Sequence, residues 1–108
     1  MTGKYLGKIT FAEFGKVRDY PFLIGLQLGF EMTCGHITDG GKYTVNISKE
    51  CKWQESERTE VITAVVEHVD KILTDAKVRY VSELKNKPVE VTVEGNVFKD
   101  FRILTEVL

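Results

Sequence analysis

The chain has 108 residues and a mass of 12.3 kDa, enough for one domain and too little for a second module. Its 43% hydrophobic and 29% charged residues exclude disorder and low-complexity structure. With 15 Lys and Arg against 16 Asp and Glu, the net charge of −1 excludes the uniform positive field of a duplex-DNA binder and leaves room for a local basic pocket.

The first strand is expected over residues 5–14, where Tyr5, Ile9 and Phe11 alternate with Lys8 and Thr10 in the period of a strand with one wet face. Charge interrupts the pattern over residues 15–20. A second strand follows, with Ile24, Leu26, Leu28 and Phe30 facing one way and Leu23, Gly25, Gln27 and Gly29 the other. Two glycines on one face invite a close neighbour, and a packed helix is the expected one. His36, Ile37 and Thr38 run into the turn signal Asp39-Gly40-Gly41, and Tyr43, Val45 and Ile47 alternate beyond it, which predicts a hairpin.

The strongest periodicity spans residues 57–76. Val61, Ile62, Val65, Val66, Val69, Ile72, Leu73 and Ala76 recur at three- and four-residue spacing, the mark of an amphipathic helix. Its valines are mediocre helix formers, so burial on a sheet must supply the stability. Residues 82–85 predict a short second helix, with Val81 and Leu84 turned inward and Asn86 and Pro88 ending it. Val89, Val91 and Val93 then alternate with Glu90, Thr92 and Glu94, residues 94–96 turn, and residues 97–108 return as a partner strand. The expected fold is α+β: an antiparallel β-sheet with one long amphipathic helix and one short helix packed on one face of a single domain.

The longest uncharged stretch, residues 21–30, is about half of what a membrane span needs, and the charged N-terminal residues lack the apolar core of a signal peptide. A cytosolic protein is expected. Cys34 and Cys51 lie far apart without C-x-x-C spacing and read as reduced, partly buried thiols, with one disulfide left open for an oxidising compartment. No nucleophile elbow, P-loop, H-E-x-x-H or Rossmann glycine pattern is present, so no catalytic residue, metal or cofactor is expected. His36 and His68 share no ligand spacing with the cysteines, and His68 reads as a solvent-edge helix residue. Glu57, Glu60 and Glu67 read as a solvated helix face, and Trp53 as packing at the helix entrance, with an interface role second.

Cations and aromatics gather at the ends of elements: Arg18 and Tyr20, Arg79 and Tyr80, then Phe98, Lys99, Phe101 and Arg102. Aromatic faces stack on bases and guanidinium groups pair with phosphate oxygens, so this set suits a nucleotide pocket, though soluble domains also scatter such residues at their edges. Arg102 stands out inside an apolar run, where a long cation must snorkel, meet an anion, or pair with Glu106 or Asp100. The Asn86 amide either caps the short helix or reads a base edge.

Several segments carry a family resemblance: Leu6-Gly7-Lys8-Ile9-Thr10 with Glu13-Phe14-Gly15, Ile24-Gly25-Leu26, Asp75-Ala76-Lys77-Val78, Val89-Glu90-Val91-Thr92-Val93-Glu94-Gly95-Asn96, and Arg102-Ile103-Leu104-Thr105-Glu106-Val107. Together they resemble the phage Thoeris anti-defence family of signal sponges. The resemblance implies a homo-oligomer, a dimer or dimer-based assembly in the host cytoplasm, that captures a cyclic ADP-ribose isomer made by TIR-domain enzymes and releases it unbroken on denaturation. Some members also capture cyclic oligonucleotides. It further implies ligand pockets of arginine, aromatic and asparagine at subunit boundaries, for which the candidates are Arg18, Tyr80, Asn86 and Arg102. The stretch around Arg18 departs from the more glycine-rich family version. The competing expectation is a phage protein that blocks a host defence protein by direct contact.

Overall fold

The computed structural model describes residues 1–48 and 55–108. Cys51 and Trp53 lie outside the described residues, and with them the expectations for a Cys34–Cys51 pair and for packing at the helix entrance; Cys34, expected to be partly buried, is exposed just beyond the end of β2. The fold is α+β. Six strands form one antiparallel sheet: β1 (Gly3–Val17), β2 (Tyr20–Met32), β3 (Gly35–Thr38), β4 (Thr44–Asn46), β5 (Pro88–Glu94) and β6 (Val97–Ile103). The order is β3-β2-β1-β5-β6, with β4 also paired to β2. Helix α1 (Glu55–Ala76) and a 3-10 turn, Val81–Leu84, pack on the apolar face. Among the described residues no helix is long and apolar enough to cross a membrane.

The core gathers Ile9, Leu26, Leu28, Phe30, Val89, Val91, Val93 and Ile103 from the sheet under Ile72 and Ala76 of α1. Helix burial is narrower than the apolar pattern predicts. Val65, Ile72 and Ala76 are buried, whereas Ile62 and Val66 are exposed, because a helix lying on a sheet covers only the side chains of one stripe. The helix stops at Lys77, which takes a left-handed conformation (φ 58°). The Val78 N–H reaches back to the Leu73 carbonyl and the Lys77 N–H to that of Thr74, satisfying the last turn in a Schellman arrangement.

The first strand departs from expectation at two places. It runs on through the charged stretch to Val17, since backbone pairing with β2 does not require apolar side chains. A bulge between Ile9 and Phe11 also flips the facing: Ile9 is fully buried and Phe11, expected on the same side, is 40% exposed on the opposite face. Phe11 thereby explains Gly29, because a Cβ there would sit 2.3 Å from the Phe11 ring. Gly25 instead admits the backbone of β4 at Tyr43 and Thr44. Neither glycine makes room for a helix.

The Gly-Gly segment does not close a hairpin. Both β3 and β4 pair with β2, Gly29↔Thr38 to Met32↔Gly35 and then Leu23↔Asn46 to Gly25↔Thr44, so they are two lengths of one interrupted strand running the same way. Residues 39–43 bulge out between them. The Tyr43 carbonyl and the Asp39 N–H still bond β2, at the Leu26 N–H and the Leu28 carbonyl. By contrast the Gly95-Asn96 turn is a true hairpin, with positive φ at both residues (57° and 64°) as a type I′ turn requires. The last strand ends earlier than expected. Leu104 makes a final bond to the Pro88 carbonyl where β5 begins, and beyond it β6 has nothing to pair with and curls into a 3-10 turn, Thr105–Val107.

Candidate functional site

The bulged loop of residues 39–43 faces the β5–β6 turn across an open cleft of about 540 Å³, lined among others by Thr38, Asp39, Lys42, Asn96, Phe98 and Lys99. Each wall follows from local sequence. Gly40 and Gly41 hold positive φ (64° and 81°), which lets the chain leave the edge of β2 and return within a few residues. Gly95 and Asn96 tighten the opposite turn and present Phe98 and Lys99 just beyond it. Lys42 bridges the two, its Nζ donating to the Lys99 carbonyl. The same ammonium lies 5.8 Å from the centre of the Phe98 ring and 6.0 Å from that of Tyr43, a cation over two aromatic faces. Lys99 Nζ is 3.8 Å from Glu94 Oε2 with both groups well exposed, a pairing too open to withhold that charge from an anion.

Behind the cleft sit two polar groups with little water. Asp39 and Tyr43 are buried, and neither Asp39 Oδ2 nor the Tyr43 hydroxyl has a hydrogen-bond partner among the described residues. Burial raises the Asp39 carboxyl above its ordinary range, against the pull of backbone hydrogen bonds, the Gly41 N–H first among them. Burial also raises the Tyr43 phenol, with the charges of Asp100 and Asp39 adding to it. The Tyr43 ring packs 4.6 Å from that of His68, which is therefore partly buried against the loop rather than a solvent-edge residue.

A pH dependence follows. With its folded value raised, Asp39 holds a proton in the folded chain at pH values where the unfolded chain has released it. Its favourable contribution is therefore complete below the ordinary carboxyl range and is lost as pH rises through the folded value. Denaturant unfolding of the wild type and Asp39→Asn across acid pH is expected to show the wild type gaining on the variant as pH falls through that window. A difference independent of pH contradicts this.

The four residues expected from sequence are not gathered into one place. Arg18 is exposed in the β1–β2 turn, and Arg102 lies on β6 opposite Glu90, which is level with Leu6 of β1. At about 3.3 Å per residue, Leu6 and Arg18 are separated by roughly 40 Å along the strand, comparable to the longest dimension of the fold, 41 Å. Arg102 is exposed and doubly paired, Nε 3.3 Å from Glu90 Oε1 and Nη1 3.1 Å from Glu106 Oε1. Of the two partners weighed from sequence, Glu106 is taken and Asp100 is replaced by Glu90. These pairs raise the Arg102 pKa, Glu106 more than Glu90.

Tyr80 and Asn86 flank the same 3-10 turn, one on each side. The exposed Tyr80 starts it, its N–H donating to Glu83 Oε1 at 3.0 Å. Asn86 ends it in a left-handed conformation (φ 72°), its N–H bonded to the Ile9 carbonyl at 2.7 Å. Asparagine tolerates that conformation better than most residues, so its backbone terminates the turn. Phe98 and Lys99, noted in the sequence at the last turn, do meet in the cleft. Lys42, Asp39 and Tyr43 were not anticipated there. The only sequence signal was the Asp-Gly-Gly segment, which carries the same composition whether it closes a hairpin or bulges from an edge.

Fold and cleft together define a helix-covered antiparallel sheet with a basic, aromatic-backed opening at one corner. In comparisons with protein-family models, curated proteins and solved structures, nothing matches the chain.

Proposed function

We propose that this protein is a non-catalytic binding protein that captures a cyclic nucleotide signal of the cyclic ADP-ribose type. In this reading it acts as a homo-oligomeric phage anti-defence sponge in the host cytoplasm. The observation that carries the reading is the cleft lined by Lys42, Phe98 and Lys99, where the Lys42 ammonium lies over the Phe98 ring. Its volume lies within the range of about 300–1,000 Å³ usual for small-molecule sites. Two ammonium groups suit the phosphates of such a ligand, and Asn96, whose Oδ1 accepts from the N-terminal ammonium and whose N–H donates to the Met1 carbonyl, offers its side-chain NH2 to a ribose or base. The family resemblance supplies the ligand class. Arg18 and Arg102 are too far apart in one chain to reach one ligand, so any joint role with Tyr80 and Asn86 requires neighbouring copies.

Capture by stoichiometry demands tight binding, on the order of −12 kcal/mol for a nanomolar dissociation constant, and no turnover. Incubating the protein with a cyclic ADP-ribose isomer is expected to deplete the free ligand, and heating is expected to return it intact by mass spectrometry. Lys42→Ala and Lys99→Ala are each expected to weaken retention at least tenfold. No depletion overturns the reading, and depletion without recovery points to an enzyme. Recovery of a stoichiometric host protein together with no bound small molecule establishes direct inhibition of a defence protein instead.

A further inference from the structure

We propose that two copies of this chain pair through the free edge of β1, antiparallel about a two-fold axis at Phe14. The inference rests on the homo-oligomeric part of the reading above and is independent of the ligand. Only Gly7 to Ile9 of β1 are paired on both sides: Gly3 to Lys8 pair with β5 and Ile9 bonds the backbone of Asn86 and Lys87, whereas pairing with β2 begins at Gly7. From there to Val17 the strand pairs with β2 alone, and its other edge has no strand partner among the described residues, although the 3-10 turn Val81–Leu84 packs against β1.

The direction of the backbone groups on that edge follows from β2. The Leu26 N–H and the Leu28 carbonyl bond residues 43 and 39, so even positions of β2 turn away from β1 and odd positions turn toward it. Through the register Phe11↔Gly29, Glu13↔Gln27 and Gly15↔Gly25, the β2-bonded positions are 11, 13 and 15. The N–H and C=O of Ala12, Phe14 and Lys16 therefore point out from the free edge. An unpaired edge of this kind is a template for another strand.

A second copy fits it best with Phe14 on the axis, where all three outward positions are paired. With Phe14 opposite its own counterpart, Ala12 faces Lys16 of the other copy and Lys16 faces Ala12, so every outward position meets an outward position and each pair exchanges two hydrogen bonds. Glu13 then lies opposite Gly15, whose Cα has nothing within 4 Å of an added Cβ, and Phe11 lies opposite Val17. Centring on Glu13 or on Lys16 instead sets like charges face to face, which is destabilising. Centring on Gly15 carries Ala12 past the strand to Arg18 and loses a bonded pair. The Phe14 register also brings together two side chains that are each 52% exposed in the single chain.

Light scattering of the full chain is expected to give twice the 12.3 kDa of one copy. Phe14→Glu, which places two carboxylates on the axis, is expected to raise the dimer dissociation constant at least a hundredfold with unchanged circular dichroism. In a Cys34→Ser, Cys51→Ser background, Phe14→Cys is expected to form an intermolecular disulfide under mild oxidation, because bonded antiparallel partners lie about 5.5 Å apart at Cα. Lys4→Cys in the same background is expected to remain uncrosslinked. A monomeric wild type overturns both the interface and the homo-oligomeric reading. An assembly that survives Phe14→Glu, or that Phe14→Cys does not trap, overturns this interface alone. Should Phe14→Glu fail to fold, the disulfide decides.

Discussion

Phe30→Ala is expected to remove about 4 kcal/mol of stability, the upper part of the range for emptying an aromatic site in a core. Phe30 is fully buried on β2, between Ile9 of β1 and Ile37 of β3 in the sheet register. Its ring stacks on Phe98 at 5.3 Å with planes 6° apart and tilts against Phe101 at 5.0 Å. The hole left by alanine would be walled by strands bonded on both sides and by rings with their own partners, so it cannot collapse. A domain of this size is held by roughly 5–15 kcal/mol, and its melting temperature is expected to fall by roughly 20 °C. Phe98 backs the cleft under Lys42, so retention of the proposed ligand is expected to fail at temperatures where the variant still holds its secondary structure. Thermal and denaturant melts check this, and a loss under about 1.5 kcal/mol would mean that the stack is not the centre of the core.

Gly25→Ala is expected to be nearly as damaging, by a different route. An added Cβ would lie 2.2 Å from the Tyr43 carbonyl oxygen and 2.7 Å from the Thr44 Cα, both backbone atoms, at a residue whose φ of 155° disfavours a side chain. Relief requires β4 to move off β2, which breaks the Leu26–Tyr43 backbone bond and carries Lys42 away from Lys99. A loss of about 3 kcal/mol or more is expected, with loss of the proposed capture alongside it. Gly15→Ala is the matched control. Gly15 pairs with Gly25 across the strands, yet its Cβ would meet nothing within 4 Å, and its substitution is expected to leave stability nearly unchanged. Equal effects at the two positions, in urea or heat, contradict the close approach of β4.

Much of the architecture is legible in the sequence because side-chain alternation and helical spacing are local. Leu26, Leu28 and Phe30 face the core as their period requires, as do Val89, Val91 and Val93. The helix ends at Ala76 where the apolar stripe ends, and the Gly95-Asn96 turn stands where the strand pattern breaks. The candidate site was only half legible. Phe98 and Lys99 announce themselves as an aromatic and a cation after a turn. Lys42 is an ordinary loop lysine until residues 39–43 are seen to stand across from that turn. Arg102 looked like a cation in search of an anion, and the fold supplies Glu90 from the neighbouring strand, which no spacing along the chain reveals.

By itself, then, the sequence determined the class of fold, the elements and most of their facing, because periodicity and turn chemistry act over a few neighbouring residues. The tertiary structure alone decided which strand borders which. It flipped Phe11 through a bulge, set β3 and β4 along one edge of β2 so that an apparent hairpin became a bulged loop, and left the outer half of β1 with a strand partner on one side only. Those outcomes depend on backbone hydrogen bonds between segments far apart in the chain. Every residue other than proline offers the same N–H and C=O to such bonds, so side-chain identity carries little record of the choice.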